Sequence, residues 1–140
     1  MYPVNNEIIK KLIYPLAIIL AILPFRGIAQ KAKAPWPELK AFHTLMAATF
    51  HPTEDGNFKP LKQKADSLYM AAKTWLAAAI PADYNATKTK ATLKKLVKQC
   101  GDINDSVKAK TTDAKLKAMI TEAHEIFHTI VEKCRNPGKE

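Results

Sequence analysis

The sequence predicts an all-α fold, an antiparallel up-down-up-down four-helix bundle behind an N-terminal export signal. Three observations lead there. Apolar residues recur in alternating steps of three and four over four segments. No segment keeps a period of two, as a half-buried strand would. The connections are short and rich in Pro, Gly, Asn and Asp. The 140-residue chain, 47% hydrophobic and 25% charged, suits one domain. Its 4 Gly are too few for a fold of many tight β-turns or for a glycine-rich phosphate loop. These figures exclude a disordered tail, a large enzyme and a multi-span membrane protein.

Residues 1–29 read as a signal peptide. Lys10 and Lys11 precede an apolar run from Leu12 to Phe25, which is shorter than the ~20 residues a membrane-spanning helix needs. Gly27 and Ala29 are small residues placed as a signal peptidase requires, so cleavage is expected after Ala29. The removed segment carries Lys10, Lys11, Arg26 and Glu7, which takes the formal charge of +9 down by two. The mature protein is expected in the periplasm or secreted, with no membrane span.

The bundle is expected over 37–135. Helix one runs from Pro37, a residue suited to the first helical position, to His51, with Pro52 as its stop. Its stripe is Leu39, Phe42, Met46 and Phe50. Helix two spans 60–79 with Leu61, Ala65, Leu68, Ala72 and Trp75 on one face. Helix three spans 87–109 with Leu93, Leu96, Cys100, Ile103 and Val107. Helix four spans 112–134, capped by Thr112, with Leu116, Met119, Ala123, Ile126 and Ile130. Trp36, Phe42, Phe50, Phe58 and Trp75 read as core. In the hairpin of helices three and four, Cys100 and Cys134 differ by 12 residues in distance from the turn near Thr111. That is ~18 Å of helix rise, too far for a disulfide. Cys100 reads as a core residue or buried ligand, and Cys134 as an exposed end residue able to join two chains.

The functional signal lies in 4 His: His43 and His51 at helix one, His124 and His128 on helix four. First and last helices are neighbours in such a bundle. If Pro37 faces Cys134, then His43 faces His128 and His124 faces Ala47. His124 and His128 are one turn apart, the spacing that lets two imidazoles hold one ion. The expectation is a transition-metal ion (zinc, copper or nickel) held by His43, His124 and His128, with His51 at the edge and Cys100 close to His124. The stretch His124-Glu125-Ile126-Phe127-His128 also reads H-E-x-x-H, the zinc-protease pattern. It lacks the H-x-x-G-x-x-H extension, only 12 residues remain after His128, and Glu125 is rotated ~100° from His124. No hydrolase is expected.

An exported bundle of this size, with candidate ligands early in helix one and late in helix four, resembles the four-helix cytochromes of the c-prime and soluble b types. The resemblance covers Pro37 to Arg135. It implies a haem iron between His128 and a helix-one ligand, His43 or Met46, and electron transfer as the alternative function. The C-x-x-C-H attachment motif is missing, since His124 and Phe127 stand where its cysteines would be.

The lysines Lys88, Lys90, Lys94, Lys95, Lys98, Lys108 and Lys110 read as solvated helix faces. Stacking aromatics are absent there, so nucleic acid is not an expected partner, whereas an acidic protein or another anionic surface is compatible. A metal-free interaction module is the third functional reading.

Overall fold

A computed structural model describes residues 35–137; the expected signal peptide lies outside them. Among the described residues there are four α-helices and no strand: α1 (Pro37–Glu54), α2 (Lys59–Ala77), α3 (Ala86–Lys108) and α4 (Asp113–His128), with a π-helical turn over Thr129–Lys133. Among the described residues no helix is long and apolar enough to cross a membrane. Each helix packs on its neighbours in sequence, and α1 also touches α4, so the contacts close into a ring of four.

Local chemistry sets most of the ends. Pro37 opens α1 without losing a helical hydrogen bond, and Asn85 caps α3 by accepting from the Lys88 amide at 2.9 Å. Thr112 caps α4 through the Lys115 amide. The α3 end is a Schellman turn. The Thr111 amide donates to the Ser106 carbonyl and the Lys110 amide to that of Val107. Lys110 takes the left-handed conformation, φ 53°, where glycine is usual.

Pro52 is not the stop that was expected. α1 continues through it to Glu54. The ring costs one hydrogen bond, but its φ is helical and the extra turn buries Thr53 completely. Thr53 donates its hydroxyl to the Thr49 carbonyl at 2.8 Å, and Thr49 donates to that of Leu45. The helix then ends where Gly56 turns with φ 82°. α4 also departs from a uniform helix to 134: it widens into the π-helical turn after His128.

Most of the expected stripe residues form the core, but Leu39, Phe58, Val107, Met119 and Ile126 are only partly buried, and on α4 Ile120 and Phe127 take the buried places. Leu68, Trp75, Leu96, Ile103, Ala123 and Ile130 are all fully buried. At one end the rings of Trp36, Phe42, Trp75, Tyr84 and Phe127 interlock, with centroid separations of 4.7 Å for Trp36–Tyr84, 5.4 Å for Phe42–Trp75 and 5.9 Å for Phe42–Phe127. Offset and edge contacts of this kind add stabilisation beyond the area they bury.

The chain after α4 is tied to the α2–α3 connection. The Asn85 amide donates to the Cys134 carbonyl at 2.8 Å, the Arg135 guanidinium donates to the Tyr84 hydroxyl and lies over its ring, and Asn136 donates to Ala82 and Asp83 carbonyls. This latch seals Cys134 completely, against the expectation that it is exposed and able to join two chains. Both thiols are free. Cys134 sits 3.7 Å from the Thr92 hydroxyl, eight residues and ~12 Å of rise before Cys100 on α3.

Because Lys110 carries the steric cost of the left-handed turn, Lys110→Gly is expected to stabilise the protein by about 1 kcal/mol. Thermal unfolding should show a rise of about 4–8 °C. An unchanged or lower midpoint would contradict the Schellman geometry.

Candidate functional site

The seam between α1 and α4 carries all four histidines. It is more sparsely packed than the seams between helices consecutive in sequence. The backbone register is close to the expected one: the Lys117 ammonium donates to the Glu54 carbonyl, two residues placed opposite each other when Pro37 faces Cys134.

His124 and His128 converge. Their Nε2 atoms are 3.2 Å apart. Zn–N bonds of ~2.0–2.1 Å at a tetrahedral angle put two ligand nitrogens ~3.3 Å apart, so the pair already has the bite of a chelate. Each ring has a support. His124 stacks on Phe50, with centroids 3.9 Å apart and planes 16° apart. His128 directs Nδ1 at the Glu132 carboxylate, 2.8 Å away. An ionised carboxylate only accepts, so Nδ1 carries a proton, and in the neutral ring the lone pair of Nε2 then accepts from Nε2–H of His124. A carboxylate behind a histidine in this way is the usual outer support of a metal ligand.

His51 is the third member. Its ring centroid is 6.4 Å from that of His124, and its Nδ1 faces Glu54 at 3.3 Å. Its side chain is 64% exposed and can turn about its own rotamers. His43 is placed differently from expectation. Its ring lies flat on Phe127, 5.2 Å between centroids and 3° between planes, and not in the cluster. The reason is rotational. Eight residues at 100° each leave His43 and His51 about 80° apart around α1, so only one of them can turn toward His124. Among the described residues no three His, Cys, Asp or Glu side chains converge closely enough to hold an ion. The structure thus brings together two donors at chelate spacing and one nearby.

Cys100 is not part of the site. It is fully buried in the core, and burial pushes its thiol up to about 12, so it is protonated and a poor ligand. Its neighbour Gln99 is the residue that reaches Glu122. Glu125 of the H-E-x-x-H stretch is exposed, and the carboxylate beside the histidine pair is Glu132.

Met46, one of the two helix-one haem ligands the resemblance implies, is fully buried in the core, and the other, His43, stacks on Phe127. A groove of about 350 Å³ at Pro37, Glu38, Ala41, Ala71 and Thr74 lies on the α1–α2 side and not at the histidines.

Glu132, Glu54, Phe50 and Phe127 were absent from the expected site. The i,i+4 spacing of His128 and Glu132 is legible in sequence. Glu54 was hidden by reading Pro52 as the end of the helix. Comparison with family models, curated proteins and solved structures finds no match. The likeness to four-helix cytochromes therefore stands on helix number and the place of His128 alone.

Burial holds the His124 pKa below its ordinary value, and the charges of His128, His51 and His43 add to the effect against the opposing pull of Glu54. The unfolded chain therefore takes up a proton near pH 6.5 that the folded His124 resists. Its contribution to stability is full above that pH and is lost as pH falls through the folded value. Ring-proton NMR should give His124 a midpoint below ~6.5. A midpoint at or above that value would contradict the packing of its ring on Phe50.

Proposed function

We propose that this is an exported protein that binds a transition-metal ion, zinc, copper or nickel, at the α1–α4 seam, for binding, sensing or carriage without turnover. The reading rests on one observation: His124 and His128 present Nε2 atoms 3.2 Å apart, with Glu132 fixing the tautomer of His128. Imidazole suits these ions, and a lowered His124 pKa keeps its ring neutral at pH 7. His51 completes the set by a rotation of its exposed side chain, with Glu54 behind it. The two carboxylates supply local negative charge in a chain of formal charge +9.

The up-down-up-down arrangement belongs to the same proposal. It is supported by pairs of helix ends: Lys62 near the start of α2 meets Asp113 at the start of α4 at 2.6 Å, and Asn85 before α3 meets Cys134 beyond α4. Export is supported by the apolar run Leu12–Phe25 behind Lys10 and Lys11.

Calorimetric titration of the full chain with Zn²⁺, Cu²⁺ and Ni²⁺ tests the site. Saturable binding of at least one ion is expected. His128→Ala or His124→Ala should abolish it, Glu132→Gln should weaken it by roughly 10–100-fold, and His51→Ala should weaken it by less than either ligand deletion. His43→Ala should leave it unchanged. If none of the ions binds, or if His43→Ala is as damaging as His128→Ala, the proposed site is wrong.

A further inference from the structure

The outer face of α3 makes no use of the histidine site and carries a charge pattern with its own consequence. Lys88, Lys90, Lys94, Lys95 and Lys98 fall within eleven residues, all exposed, with no acidic residue from Ala86 to Gly101. At 100° per residue they cover about 160° of the helix, opposite the buried stripe of Thr89, Leu93, Leu96 and Cys100. Lys90, Lys94 and Lys98 form a ridge with ~6 Å between successive positions. Lys88 donates to the Lys133 carbonyl at 2.7 Å and Lys98 pairs with Asp102 at 2.6 Å. Lys90, Lys94 and Lys95 make no contact of this kind with any described residue.

This arrangement works against the helix. Lys88 stands in its first turn, where the macrodipole favours anions, and that turn has no acidic residue. Lys90–Lys94 and Lys94–Lys98 are like-charge i,i+4 pairs, which are destabilising. Local choices that oppose the fold mark places where something other than folding is served.

We propose that this face docks on a bilayer surface bearing anionic phospholipid headgroups. A protein partner is a poorer match: from Ala86 to Lys98 the exposed residues other than lysine are Ala86, Thr87 and Ala91, without the aromatic or large apolar anchors on which protein interfaces depend. A nucleic acid is a poorer match for want of arginine and stacking rings. A row of flexible point charges without anchors suits a diffuse layer of headgroup phosphates, to which each lysine adds attraction that salt screens.

Vesicle co-sedimentation of the mature chain from Gln30 tests this, with pure phosphatidylcholine against mixed phosphatidylcholine and phosphatidylglycerol, so that the apolar run Leu12–Phe25 contributes to none of the proteins compared. The triple variant Lys90→Gln, Lys94→Gln, Lys95→Gln is set against Lys59→Gln, Lys64→Gln, Lys115→Gln, which removes equal charge from exposed positions elsewhere, and circular dichroism verifies that both stay folded. Binding is expected to need phosphatidylglycerol, to fall with salt, and to drop on the order of 100-fold in the α3 variant while changing little in the other. Equal losses in both variants would reduce the effect to net charge and overturn the proposal. So would equal binding to both vesicles, or ridge-dependent binding of a soluble polyanion or acidic protein with none to vesicles.

Discussion

The contact of Phe42 and Trp75 with Phe127 fixes the level at which α4 lies against α1. The three rings sit 5.4–6.0 Å apart, and Trp75 is fully buried between the helices that carry the others. Moving α4 by one turn would take Phe127 out of this cluster and leave a cavity, a loss of a few kcal/mol by analogy with large-to-small core changes. Because Phe127 immediately precedes His128, the same packing decides where the histidine pair falls along the seam. Phe50, one position before His51, then receives the His124 ring at 3.9 Å. Packing and site chemistry are set by adjacent residues on the same two helices.

The helices were legible in sequence because a buried stripe must repeat with the helical period, and Leu61, Leu68, Trp75, Leu93, Leu96 and Ile103 do so without interruption. Heights along the seam were legible too, since rise per residue is constant. Rotation about the axis was not. His43 and His51 stand at the heights expected, yet about 80° apart, so the ring assigned to the cluster lies on Phe127 and the one assigned to its edge lies beside His124. Pro52 misled for a different reason. A proline forbids one hydrogen bond, not a helical φ, and burial of Thr53 carries the helix past it to Glu54. The π-helical turn has no sequence signature here, and neither does the latch of Asn85, Tyr84 and Arg135 that buries Cys134.

Charge is distributed in a way the core does not require. Glu54 and Glu132 flank the histidines on α1 and beyond α4, while the longest run of lysines without an acidic neighbour lies on α3. α3 packs on α2 and α4 and makes no direct helix contact with α1. The carboxylate-supported histidines lie at the α1–α4 seam, whereas the cationic run lies on α3, whose Lys88 reaches the Lys133 carbonyl beyond α4. A π-helical turn directly after His128 fits this picture, since such turns recur at functional sites, and here one ends the helix that carries His124 and His128.

The most direct test is the rotational setting of α1 against α4 in solution. Proton–proton nuclear Overhauser effects between side-chain rings report it without any ligand. Strong effects are expected between Phe50 and His124 and between His43 and Phe127, whose centroids are 3.9 and 5.2 Å apart. Effects linking the His43 ring to those of His124 and His128, with none from Phe50 to His124, would contradict the seam described and the site built on it.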